Sequence, residues 1–482
     1  MKLLISFFFI FGLLGSAHSN PSQSQLVPSS DAREDFETLF KTLQTAHANL
    51  FVNRTKIEYQ NKYDEILVQL DGDLTAFKVK MLFQEFIAYG RIAHASLSFL
   101  DEEFSKYRDQ GGKAFPVYVR IDNNKWWIAE DYSGKNLTKE DQITHINDIP
   151  VEAIFDEIWR YLSADTKEIA SSLLEYKLPQ YLWLLDQRDS KPSDTYTLRI
   201  EKNGKEFELK VNPISREELQ LKVEQQANES NKETEPLRDY KLLANKIGYL
   251  KPGPFYNAED QSDLWNATQF TSFIDKAFES FLKNEVTQLV IDVRKNPGGT
   301  NSFSDAMIAW YADKPFKFAS HFMVRSSFEA KESNRQRIKS TASEVDSASA
   351  QLAGAYEKHP FGTVFEFNLE EHEPRKGQRF QGDVYVLIDR HSYSNAASVA
   401  AITQDYGFGT VVGQTTTDFA TTFASMESFV LPNTGTKVGF PKAHIIRPSG
   451  DKKPGPVIPD IQLATDNTLG ELVKRLTKVE SN

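Results

Sequence analysis

Residues 383–401 read DVYVLIDRHSYSNAASVAA. The run up to Ile388 is apolar on both faces, as in a strand buried inside a sheet, and the small residues from Asn395 onward suit a helix packed closely on that sheet. Three serines, Ser392, Ser394 and Ser398, crowd the corner between them. Such a corner exposes a hydroxyl beside the unpaired N–H groups of a helix start, where a developing oxyanion can be held. A serine here serves equally well as the helix N-cap, a place open to both Ser392 and Ser394. The hydrolase elbow G-x-S-x-G is absent, so the nucleophile reading draws nothing from that motif.

Neighbouring segments repeat the arrangement. QLVIDVR (288–294) is a continuous apolar strand followed by NPGG (296–299) and a helical pattern, and GTVVGQTT (409–416) is another such strand. Apolar strands joined by helices imply a largely parallel sheet covered on both faces, an α/β core over residues 244–470. The glycines of NPGG allow positive φ and close backbone approach at their corner. The stretch is neither a P-loop nor a dinucleotide fingerprint.

Ahead of this core, residues 20–100 are helical in pattern. Phe36, Leu39, Phe40 and Leu43 recur at helical spacing, as do Leu82, Phe83, Phe86 and Ile87, and Gly90 is a stop. HASLSFL (94–100) then alternates as a short strand with His94 on its polar face. Residues 105–215 read as a mostly β module, with turns at Asn123-Asn124 and Asn203-Gly204 and a helical stretch from Ile154 to Leu185 interrupted at Pro179. Residues 216–243 are polar and charged without apolar periodicity, the pattern of an exposed linker. Residues 1–19 combine Lys2, an apolar run and small residues before a cleavage point, which reads as a secretory signal peptide. The run is shorter than the ~20 residues of a membrane span. The mature protein is therefore expected to be exported, periplasmic or secreted, with no stable membrane span.

A formal charge of -11 leaves no electrostatic footprint for nucleic acid or an anionic membrane. The absence of cysteine excludes disulfides, thiolate catalysis and Cys-ligated zinc. The nine histidines form no H-x-x-x-H pair and no acidic cluster resembles a cation cage, so neither a metal nor a cofactor is implied.

LVIDVRKNPGG (289–299), YVLIDRHSYSNAASVAAITQDYGFGTVVGQTT (385–416) and RPSGDKKPGPVIPDI (447–461) carry a likeness. In order and spacing they resemble the core of the carboxyl-terminal-processing, or tail-specific, serine proteases, a core shared with the tricorn protease. EDQITHINDIPV (140–151) is similar to a segment of the PDZ domain that this family often carries, with Glu140 in place of the usual glycine. AHASLSF (93–99) resembles the stretch around the histidine of the histidine-using branch. The resemblance implies an α/β core of ClpP/crotonase type, a PDZ-like module over 105–215, and a serine endopeptidase that cleaves peptide or protein substrates through an acyl-enzyme. It implies Ser394 as the nucleophile, with oxyanion donors from the N–H of Asn395 and from the pair Gly298-Gly299.

The lysine-using branch carries its base after the return strand. In this chain TTTDFATTF (415–423) puts Phe419 at that place, with no lysine nearby. The resemblance therefore implies His94 as the base, 300 residues before the serine. His391 is nearer but lies on a turn where the pattern requires no particular residue. For the acid supporting the imidazole, Lys453 stands near the family position, and Asp405 and Asp451 are the candidates at hand. The alternative is a catalytically silent ligand- or peptide-binding protein on the same scaffold, favoured by the missing lysine, the unassigned acid and the altered PDZ-like segment.

Overall fold

The computed structural model describes residues 25–190, 193–229, 236–243, 246–340, 347–463 and 467–479; the expected signal segment, 1–19, lies outside them. Two compact units emerge. The first takes the described parts of Met1–Thr234, Arg325–Thr363 and Phe423–Lys442, the second those of Glu235–Val324, Val364–Thr422 and Ala443–Asn482. The continuous core expected over 244–470 is thus divided, with two inner stretches packing in the first unit.

That unit begins with β1 (Leu26–Val27), α1 (Ser29–Ala46), α2 (Lys56–Gln69), β2 (Leu74–Thr75) and α3 (Ala76–Tyr89). The expected apolar stripes form its core: Phe36, Leu39, Phe40 and Leu43 of α1 and Leu82, Phe83, Phe86 and Ile87 of α3 are all buried. Gly90 ends α3 as expected, and packing demands a glycine, because a Cβ there would sit 2.0 Å from the Tyr59 hydroxyl. The strand expected next shrinks to β3 (Ser96–Leu97), since α4 (Phe99–Asp109) already begins at Phe99.

The module that follows holds β4 (Val117–Asp122), β5 (Lys125–Asp131), β6 (Gln142–Ile146), β7 (Ile149–Pro150), α5 (Val151–Trp159), α6 (Lys167–Arg188), β8 (Tyr196–Lys202) and β9 (Lys205–Val211). Its antiparallel sheet runs β4-β5-β6-β8-β9. Both expected turns close hairpins with positive φ at their two central residues, and the same geometry at Asn147-Asp148 joins β6 to β7. The expected break at Pro179 is absent. Helix α6 runs through it, because Leu178, Tyr181, Leu182 and Leu184 bury a face that outweighs one missing backbone hydrogen bond. The first part of the expected linker is also helical, as α7 (Arg216–Glu229). A reciprocal cap starts it: Glu218 N–H donates to Ser215 Oγ at 3.2 Å, and Ser215 N–H donates to the Glu218 carboxylate at 2.7 Å.

The second unit opens with β10 (Asp239–Leu242), β11 (Ile247–Lys251), α8 (Thr268–Lys283), β12 (Gln288–Asp292), α9 (Asn301–Ile308) and β13 (His321–Arg325). The chain then gives α10 (Phe328–Ser340) and α11 (Ser347–Lys358) to the first unit. It returns with β14 (Val364–Glu366), β15 (Asp383–Ile388), α12 (Asn395–Tyr406) and β16 (Thr410–Gly413). After β17 (Thr422–Val430) and β18 (Lys437–Ile446), the second unit closes with β19 (Ile461–Gln462) and α13 (Thr468–Val479). Its central sheet is ordered β10-β11-β12-β15-β16-β19 and is parallel except for β10. Every residue of β12 is buried, with Leu289 and Ile291 packed among α8, α9 and α12 and Val290 among Leu387, Leu472 and Leu476. This is the doubly covered parallel sheet that the apolar strands imply. No helix among the described residues is long and apolar enough to cross a membrane.

In the first unit Glu427 of β17 is buried against Lys442 of β18 and Arg337 of α10, whose Nη2 stands 2.5 Å away. Burial alone would raise this carboxyl, but the Lys442 and Arg337 charges hold it below its usual range. Lys442 is committed to this pair. Glu427→Ala leaves that lysine buried without its carboxylate, and should lower stability by about 3–5 kcal/mol, read as a fall in the thermal midpoint.

Candidate active site

Open parallel sheets present their chemistry at the carboxyl ends of the strands. In the second unit these ends carry the glycine turn after β12, the serine turn after β15 and the turn after β16. Hydrogen bonds stitch the first two together. Tyr393 N–H donates to the Asn296 carbonyl at 2.9 Å, Lys295 N–H to Asp389 Oδ1 at 3.0 Å, and Ser392 Oγ to the Val293 carbonyl at 2.8 Å.

The three serines have different fates. Ser392 is 0% exposed and also accepts the Asp389 N–H at 3.0 Å, so its hydroxyl is consumed by the turn. Ser398 Oγ lies 3.5 Å from the Ser394 carbonyl, one turn back along its own helix. Ser394 occupies the N-cap position of α12, yet its side chain makes no capping bond. The cap reading therefore fails for Ser394. Its backbone adopts φ 52° and ψ -121°. That conformation costs a non-glycine residue on the order of 1–3 kcal/mol and persists only where the surroundings force it.

Asn395 opens α12, where backbone N–H groups have no partner within the helix. Its side chain anchors the corner, Nδ2 donating to the Thr300 carbonyl at 2.8 Å and to Ser304 Oγ at 3.0 Å. Gly298, with φ 87°, lies so close that a Cβ would fall 2.7 Å from Asn395 N and 2.8 Å from Ser394 Cβ. Its own N–H is given to Asn296 Oδ1 at 2.9 Å. Gly299 pairs with Phe255 in a parallel bridge that uses the Gly298 carbonyl, at 2.8 Å, and the Thr300 N–H, at 2.9 Å. The Gly299 N–H consequently points away from Phe255. Within the pair, Gly298 supplies the close approach, and the Gly299 N–H takes no part in the bridge to Phe255.

The turn after β16 adds a residue that no motif singles out. Asp418, 1% exposed, accepts the Ser394 N–H on Oδ2 at 2.5 Å. Burial pushes this carboxyl up to about 6, against the stabilising N–H groups of Ser394 and Phe419. Its only sequence signal is its place beside Phe419, in the segment where the lysine-using branch keeps its base.

His94 belongs to the first unit and is 4% exposed. Burial lowers its pKa below 6.5, and the Asp165 carboxylate opposes that shift. Asp165 Oδ2 accepts the N–H of Ala93 at 2.8 Å. Asp165 lies between α5 and α6, where sequence spacing from His94 gives no hint of it. The carboxylates expected in this supporting role are engaged elsewhere. Asp405 grips Arg447 with both oxygens, at 2.7 and 2.9 Å, and accepts the Ser449 N–H at 2.9 Å, while Asp451 accepts the Lys453 N–H at 3.0 Å. Among the described residues no three histidine, aspartate or glutamate side chains are placed to hold a metal ion.

Residues 246–463 match the model of peptidase family S41. The crystal structure of mature CPAF is similar, with TM-score 0.62 and 14% identity over 90% of this chain and 93% of that chain. Mature CPAF complexed with lactacystin gives TM-score 0.62 and 15% identity over 94% and 97%. The photosystem II D1 C-terminal processing protease gives TM-score 0.44 and 13% identity over 90% and 93%. A comparison with curated protein sequences finds no match. The protein is a serine-type peptidase, a hydrolase of peptide bonds. In it, residues 246–463 form a domain of peptidase family S41.

Gly298→Ala forces a Cβ into the serine turn at a positive φ. Displacement of the reacting groups by about 1 Å should lower peptide hydrolysis roughly 10²-fold or more, with thermal unfolding still cooperative. Wild-type hydrolysis by this variant would show that the close approach is not required.

Proposed function

We propose that the protein is an exported serine endopeptidase of the tail-specific, histidine-using kind. Ser394 attacks the peptide carbonyl, His94 accepts its proton, and the oxyanion is held by the N–H groups of Asn395 and of the Gly298-Gly299 turn, from Gly299. Water then resolves the acyl-enzyme. One observation carries this reading: of the serines at the corner, Ser394 has a strained backbone with positive φ and a side chain that does not cap the helix it precedes. Such strain gathers at functional sites, and together with the peptidase family match it favours the enzyme over a silent binding protein. The core is, in this reading, of ClpP/crotonase type. Residues 105–215 act as a PDZ-like module that takes an extended peptide on a sheet edge, a role supported by the segment EDQITHINDIPV. Export rests on residues 1–19. Lactacystin, complexed with CPAF in a similar structure, is a candidate ligand for the serine corner.

Ser394→Ala should abolish hydrolysis, by a factor on the order of 10⁶, together with labelling by a fluorophosphonate probe, while the fold persists. Ser398→Ala should keep both activities. Ser392→Ala should keep labelling but lose about 1–3 kcal/mol of stability, because buried groups at the turn lose their partner. Labelling of Ser394→Ala at the wild-type rate would move the nucleophile elsewhere.

An imidazole base must be neutral to accept the serine proton. Because burial holds His94 below 6.5, kcat/KM should be sustained through neutral pH and fall only on the acid side of that value. His94→Ala should remove most activity across the whole profile. Full activity in this variant would exclude the assignment.

A further inference from the structure

Ser394 holds a conformation that it would leave if released, so something must restrain it. Gly298 presses on one side of the turn, and Asn395 is tied down through its side chain. The carbonyl half of the peptide group that enters Ser394, from Tyr393, accepts the Ala396 N–H at 3.0 Å, which leaves the N–H half to be held. The N–H of that group donates to Asp418 Oδ2 at 2.5 Å. The turn bearing Asp418 is itself fastened at several points. Thr416 Oγ1 donates to the Asp418 carbonyl at 2.8 Å and accepts the Val457 N–H at 2.9 Å, and Thr417 Oγ1 donates to the Arg390 carbonyl at 2.7 Å. The carboxylate is thus a rigid post rather than a mobile side chain.

We propose that Asp418 is a positioning residue that holds the backbone of Ser394 in its reactive conformation by accepting the Ser394 N–H. The inference rests on the reading of Ser394 as nucleophile and adds a residue that the reading does not contain. Three features support it. Asp418 is buried beside the serine turn, and burying a carboxylate without a cation is unfavourable, so a structural convenience would not retain one there. The charged residues on the packed elements are Asp389, Arg390 and His391 on the serine turn and Asp451, Lys452 and Lys453 ahead of Pro456, which bridges to Phe419. None of these side chains moves the Asp418 titration, which is set by burial against the N–H groups of Ser394 and Phe419. The carboxylate also faces the N-terminal end of α12, where a negative group is favoured and where the side chain of Ser394 does not cap. It engages the N–H of Ser394 and leaves that of Asn395 for the substrate oxyanion.

The test compares Asp418→Ala, which removes the acceptor, with Asp418→Asn, which keeps an oxygen for the Ser394 N–H and loses only the charge. Fluorophosphonate labelling rates, kcat and KM are measured with the full chain, alongside thermal unfolding. Asp418→Ala should label and turn over about 10²-fold more slowly with KM changed less than about threefold, whereas Asp418→Asn should stay within about tenfold of wild type. In the wild type, protonation near pH 6 removes the charge but leaves one acceptor oxygen, as the Asn variant does, so labelling should fall by at most about the same tenfold as the pH drops through that value. Asp418→Asn should lack that component while retaining any limb that belongs to His94. If Asp418→Ala is unfolded, the Asn variant decides by its pH profile alone. Wild-type labelling by a folded Asp418→Ala, or an unchanged profile in Asp418→Asn, overturns the inference. Either result with an unlabelled Ser394→Ala leaves the nucleophile standing, whereas labelling of Ser394→Ala removes the nucleophile itself.

Discussion

The backbone of Gly298 lies against Ser394 and Asn395 with no room for a side-chain carbon between them. That contact follows from the sheet. Strands β12 and β15 are parallel neighbours in register, with Asp292 opposite Leu387, so their turns leave the sheet at the same level and must share one space. Side chains in both turns would push them apart. Two glycines on one strand end and the buried Ala396, Ala397, Ala400 and Ala401 behind the other let the backbones meet. Once they meet, the backbones of two separate strand ends lie beside one serine. Neither turn provides that combination alone.

The start of α12 departs from helix logic at the place where chemistry is wanted. A serine at the N-cap position ordinarily accepts an N–H of the first turn, worth roughly 0.5–2 kcal/mol. Ser394 gives up that bond and takes on backbone strain of comparable size. The helix still requires negative charge near its positive end, and the buried Asp418 contributes it from another turn. Asp418 takes the N–H of Ser394 itself and not one from the first turn, so the cap bond is given up rather than replaced, and the serine side chain stays out of the capping role. Local rules broken at one residue and compensated by others are the pattern expected at a functional site.

Much of this arrangement is legible in the residues. The apolar runs at 288–294, 383–389 and 409–416 announce buried parallel strands, and the serine corner and glycine pair stand where those strands end. The hairpins at Asn123-Asn124 and Asn203-Gly204 follow from residues that tolerate positive φ. What escapes the sequence is whatever depends on tertiary neighbours. The passage of α6 through Pro179 is decided by the face it buries; the start of α7, by contrast, is signalled locally by the capping pair Ser215–Glu218 although the helix lacks apolar periodicity. Asp405 is recognisable as a candidate acid, but only the fold gives it to Arg447. Asp418 and Asp165 belong to no motif, since an acid acquires such a role through burial and distance, neither of which spacing encodes.

The electrostatics of His94 add a last constraint on the chemistry. A base that begins neutral and becomes charged needs an environment that treats those states differently. Burial favours the neutral imidazole, and the Asp165 carboxylate favours the cation; burial prevails, so the resting pKa lies below 6.5. With His94 as the base, this balance keeps it ready to accept a proton at neutral pH. As the proton arrives, the attraction to Asp165 acts on a real positive charge within a site from which water is largely excluded, and so offsets part of the cost of burying it. An exposed histidine would gain less from the acid, because solvent would screen the pair. A buried histidine without the acid would be neutral but reluctant to become charged. The two influences oppose each other in the resting protein, yet each serves one side of the proton transfer.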